Sequence, residues 1–131
     1  MNSITSSQGT ERRQRRSAYL SQALKFQLAA CCTDGDISAM VIADSDGILL
    51  ASSGDGSACE EVAARMAVLG CRINEFSGTL LGPGEKWDVQ MSKLRVEDCD
   101  LLVCAVGGSA EQRQRQISRG AEGAQRILRA A

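Results

Sequence analysis

The stretch ISAMVIADSDGILLASS, Ile37 to Ser53, decides the fold. Ile37–Ala43 and Ile48–Ser52 are short apolar runs, and Asp44-Ser45-Asp46-Gly47 separates them. Asp-Gly between two such runs signals a β-hairpin, because glycine accepts the positive φ of a tight turn. The next segment, SACEEVAARMAVLGCRIN (Ser57–Asn74), changes to helical spacing, with Ala58, Val62, Met66, Leu69 and Ile73 on one stripe. Ser57 is the expected N-cap, with Glu60 at capping-box distance. Ala58, Ala63, Ala64 and Ala67 would let another helix come close. Gly70 inside the helix costs about 1 kcal/mol relative to alanine unless close packing recovers it.

Outward from this core, Ser17–Cys32 reads as a helix with Leu20, Leu24, Leu28 and Cys31 on its apolar stripe. A short strand is expected at Gly78–Leu81, followed by the turn Gly82-Pro83-Gly84. In Trp87–Val96 the apolar residues change phase between Met91 and Leu94, and a bulge near Ser92-Lys93 would reconcile them. Leu101–Val106 (LLVCAV) has the length and apolarity of a buried central strand. Ala110–Ala130 closes the chain as a helix, with Ile117, Ala121, Ala124 and Leu128 on one stripe. The order is α-β-β-α-β-β-β-α, an α/β (α+β) chain whose hairpins make its sheet antiparallel.

Composition limits what such a chain can do. It has 131 residues, 44% hydrophobic and 24% charged, with net charge −1. That is one domain. There is no histidine, which removes the usual general base and the commonest metal ligand. Gly54-Asp55-Gly56 lacks the third glycine of a dinucleotide fingerprint, because Cys stands at position 59. Asp44–Gly47 lacks the ligands of a calcium loop. No catalytic residue, cofactor site or metal site is therefore expected, and the chain does not read as an enzyme. Four scattered aromatics and near-zero net charge give no support to nucleic-acid binding. No apolar run approaches the ~20 residues of a membrane span, and no export signal follows the N-terminal arginines, so a cytoplasmic location is expected. In that reducing setting the six cysteines read as buried structural thiols rather than redox or metal groups. Residues 1–16 carry Arg12, Arg13, Arg15 and Arg16 and read as a disordered, solvated tail ahead of a domain at 17–131. The sharper alternative is a basic arm for an acidic partner or an anionic membrane.

The run ISAMVIADSDGILLASS leading into CEEVAARMAVLG resembles the Roadblock family, the dynein light-chain type, over about Ser17 to Ala131. The departure is Phe76–Lys86, where Gly, Pro and Thr stand in place of a regular third strand. The resemblance implies an antiparallel five-stranded sheet with helices on both faces, the middle helix on one and the terminal helices on the other. It also implies a homodimer, or a pair with a related Roadblock chain, through the middle helix and the edge strand. Arg65, Val68, Leu69, Arg72 and Ile73 are the candidate dimer or partner contacts by helical position; equally, Leu69 and Ile73 could face their own sheet. The family's functions make the expected role a non-enzymatic regulator or scaffold for a small Ras-like GTPase. A light-chain adaptor without a GTPase partner and a small-ligand sensory domain are the alternatives.

Overall fold

The computed structural model describes residues 2–82 and 84–130, with side chains at 12, 15–82 and 84–130. Three helices and five strands follow the expected order: α1 (Asn2–Gly35), β1 (Ala39–Asp44), β2 (Leu49–Ser53), α2 (Gly56–Gly70), β3 (Glu75–Gly82), β4 (Glu85–Val96), β5 (Cys99–Val106) and α3 (Ala110–Arg129). The strands form one antiparallel sheet in the order β2-β1-β5-β4-β3.

The hairpin is made by Asp44. Its carboxylate accepts from the N–H groups of Asp46 (2.9 Å) and Ile48 (3.0 Å), and Gly47 takes φ 84°. The one offset in the β1–β2 ladder falls between Ile42 and Ala43.

Alternation in the central strands splits the core between the two faces. Val41, Leu102, Cys104 and Val106 meet Val62, Ala63 and Met66 of α2 on one side. Met40, Ile42, Leu101 and Val103 meet Leu24 and Leu28 of α1 and Ile117 and Ala124 of α3 on the other. Buried Cys104 sits in the first layer, where a small apolar side chain fits.

Several boundaries differ from the sequence expectations. The β4–β5 register runs without a break from Val89↔Val106 to Val96↔Cys99, so there is no bulge at Ser92-Lys93. The phase change is a change of face: Val89 and Met91 pack beneath α2, while Leu94 and Val96 pack beneath α1 and α3. β3 is twice as long as the expected Gly78–Leu81. α1 does not start at Ser17; its backbone is helical from Asn2, through the segment expected as a disordered tail. Glu, Arg and Gln at 11–16 are good helix formers, and they extend a helix already nucleated by packing from Leu24 onward. The cysteines divide: Cys31, Cys59 and Cys104 are buried and Cys32 is half-buried, whereas Cys71 and Cys99 are exposed rather than in the core.

Sequence reasoning also missed a buried polar cluster. Arg113 on α3 is buried. Its guanidinium donates to Gln90 Oε1 (3.0 Å) and to the carbonyls of Gly107 (3.0 Å) and Gly108 (2.7 Å), while Gln90 donates to Gln114 Oε1 (3.1 Å). This pins the start of α3 to β4 and to the Gly107-Gly108 turn. Only the fold brings position 90 beside position 113, so no local pattern announces the pair.

Candidate functional site

α2 is set by its cap. The Asp55 carboxylate accepts from the N–H groups of Ser57 (2.9 Å) and Ala58 (3.5 Å), so Asp55 is the N-cap and not Ser57. The helix then lies over β1, β5 and β2. Cys59, Val62, Ala63, Met66, Ala67 and Gly70 face the sheet. Of the small residues expected to admit a neighbouring helix, Ala63, Ala67 and Gly70 are therefore used against the chain's own sheet. At Gly70 an added Cβ would stand 3.0 Å from Leu102 Cδ2. Ala64 alone of the four alanines is exposed.

Beyond β5 the cover of α2 thins toward β4 and β3. Phe76 and Leu80 of β3 and Trp87 of β4 point to the same side as α2 and pack at the margin of its core. The glycines of β3 explain their posture. A Cβ at Gly78 would meet Phe76 Cζ at 2.9 Å, and one at Gly82 would meet Trp87 Cη2 at 2.8 Å. Each ring lies across the bare backbone of a glycine. This is the aromatic cover that makes an edge-strand glycine tolerable. Phe76 and Trp87 remain half-buried, and Leu81, on the opposite face of β3, is 65% exposed. β3 is an eight-residue edge strand whose only charge is Glu75 at its first position. An edge this long, with so little charge, is an open template for another strand.

Five residues were expected at a contact surface. Arg65 and Leu69 are half-buried on α2; Leu69 packs on the core below. Arg65 Nη1 donates to the carbonyl of Leu81 at 2.6 Å, bridging from α2 to β3. Val68 stands outward at 73% exposure. α2 ends at Gly70 rather than near Asn74, so Arg72 and Ile73 lie in the exposed turn leading to β3. Of the five, Arg65 reaches β3, Leu69 packs on the core, and Val68, Arg72 and Ile73 are exposed, so they do not form one helical stripe.

The remaining surface offers little chemistry. A polar groove of about 410 Å³ lies between α3 and the opposite face of β3–β4, lined among others by Glu75, Ser77, Gln90, Gln114 and Glu122. Among the described residues no three acid, cysteine or histidine side chains converge as metal ligands. Burial pushes the Cys31, Cys32 and Cys59 thiols up and that of Cys104 up to about 12, which keeps them protonated and unreactive near neutrality. Among the described residues no helix is long and apolar enough to cross a membrane.

No protein-family model matches the chain, and no curated protein is similar to it. Solved structures are. An MglB structure with a tetrameric arrangement is 15% identical with TM-score 0.63, over 85% of this chain and 91% of that one. The gliding protein MglB from Thermus thermophilus is 18% identical with TM-score 0.61, over 86% and 93%. A Roadblock/LC7 domain from Streptomyces avermitilis is 13% identical with TM-score 0.56, over 80% and 97%.

Proposed function

We infer that this chain, which has the Roadblock fold, acts as a dimeric, non-enzymatic cytoplasmic regulator or scaffold for a small Ras-like GTPase. The observation that carries the reading is the unfinished side of the sheet. α2 covers β2, β1 and β5, while Phe76 and Trp87 are only half-buried beyond it, and the outer side of β3 is unpaired among the described residues. An isologous contact would cover those rings and continue the sheet, since a two-fold axis sets the same patch against itself. Arg65, Val68, Leu69, Arg72 and Ile73 are the residues this pairing would use, either across the axis or on the composite surface offered to the GTPase.

The test has two stages. Sedimentation equilibrium of the purified chain should give twice 13.9 kDa. The double variant Val68→Asp, Ile73→Asp should sediment as a folded monomer, because both residues are exposed and carry little of the core. The dimer should then capture small Ras-like GTPases in one nucleotide state in preference to the other. Capture indifferent to nucleotide would make it a fixed adaptor instead, and a wild-type monomer at tens of micromolar would remove the dimer reading.

A further inference from the structure

The layer of α1 and α3 carries a second unpartnered surface, on the side of the sheet away from α2. Of the chain's four aromatic residues, Phe76 and Trp87 pack on the core, whereas Tyr19 and Phe26 are 71% and 65% exposed. They stand seven residues apart on α1 and so share one face. That face continues along Arg12, Arg16, Tyr19, Ala23, Phe26 and Ala30, alternating steps of four and three. It lies to one side of the Leu24–Leu28–Cys31 stripe that α1 buries in the domain. Beside it runs an apolar groove of about 310 Å³, where Tyr19, Ala23 and Gln27 meet Gly123, Arg126 and Ile127 of α3.

The α1 side of this surface is basic: Arg12 and Arg16 are exposed on the face itself, while Glu122 is an acid on the α3 side. From Arg12 to Thr33 the sequence holds Arg12, Arg13, Arg15, Arg16 and Lys25 and no acid. Exposed Arg126 stands on the groove near the end of α3, and exposed Arg129 follows in the same turn. Asp44, Asp46, Asp55, Glu60 and Glu61 sit on α2 and the loops at its side of the sheet, and in the α1–α3 layer Asp34 pairs with Arg119 and Glu111 with Arg115.

We propose that the Arg12–Ala30 face of α1, with the adjoining end of α3, docks on an anionic lipid bilayer surface. Three physical features select that occupant. A second copy meeting this face about a two-fold axis would set the arginines against each other if parallel, or against Ala30 and Phe26 if antiparallel, and neither pairing offers them the anions that lipid phosphates supply. Tyr19 and Phe26 protrude from a stretch of helix about 27 Å long, which fits the line of contact between a rod and a plane. Aromatic side chains flanked by arginines suit the headgroup boundary, where the rings reach acyl chains and the guanidinium groups stay with lipid phosphates. The inference is independent of the GTPase reading and uses the opposite face of the sheet.

The test is flotation of the full chain with two kinds of vesicle: phosphatidylcholine alone, and phosphatidylcholine mixed with phosphatidylglycerol. The protein should float with the mixed vesicles only. Tyr19→Ser with Phe26→Ser should abolish flotation without loss of helical signal. Arg12→Gln with Arg16→Gln should weaken binding by roughly five-fold per arginine, while Arg12→Lys with Arg16→Lys retains it. No flotation with anionic vesicles in low salt overturns the proposal, and so does flotation indifferent to Tyr19 and Phe26. A halved sedimentation mass in the Tyr19→Ser, Phe26→Ser variant would give the face to a second copy and overturn it equally.

Discussion

At Gly82 a missing side chain decides where the only tryptophan lies, since a Cβ there would stand 2.8 Å from Trp87 Cη2. Gly82→Ala should lift the indole, shift its emission to the red and cost about 1–3 kcal/mol in urea unfolding. Because the chain has one tryptophan, the fluorescence reports this site alone. The cysteines give a second residue-scale expectation. Cys71 and Cys99 should react at once with an uncharged thiol reagent, and Cys31, Cys59 and Cys104 only on unfolding. Burial lifts Cys104 from an ordinary 9.0 to about 12. The unfolded chain therefore loses that proton first, and the stability contributed by the neutral thiol is full below pH 9 and falls as pH rises from 9 to 12. Cys104→Ala should flatten this alkaline fall in denaturation midpoints, at a cost in stability near neutrality from the cavity it leaves.

At the scale of elements, α2 shows how a capping pattern can mislead. Ser57 and Glu60 have capping-box spacing, but Asp55 holds the first N–H groups. Asp55→Ala should lower stability by about 1 kcal/mol and Ser57→Ala by much less, measured as shifts in urea midpoint. An aspartate is as good a cap as a serine, and the choice is made by where the loop after β2 delivers the chain. β3 is the converse case. Its glycines read as a break in the sequence, yet they lie inside an eight-residue strand because Phe76 and Trp87 cover them. The phase change in β4 implies a bulge only for a strand buried on one face. A strand buried on both faces needs no bulge, since Met91 and Leu94 answer to different helices.

For the whole molecule, α1 extends well beyond what the domain buries. Among its described side chains Leu24 is the first to be fully buried, and Leu20 is half-buried. Removing residues 2–16 should reduce the helical circular-dichroism signal while leaving the unfolding free energy within about 0.5 kcal/mol. A larger loss would mean that the extension packs on the domain. The sheet has two unlike sides. The α2 side ends in a half-covered apolar strip and an open edge, while the α1–α3 side carries the arginine and aromatic stripe.

The sequence by itself determined the hairpin at Asp44–Gly47, the central strand LLVCAV, the helices and their order. Each of these rests on spacing or turn chemistry between residues close along the chain, which periodicity reports directly. Tertiary structure alone decided which small residues of α2 face the sheet, that Arg113 is buried against Gln90, and which half of β4 serves which core. It also decided where α2 stops covering the sheet and leaves the strip beside β3. These depend on which face of each element meets another element, and a contact between positions 90 and 113 or 70 and 102 leaves no mark in either local pattern.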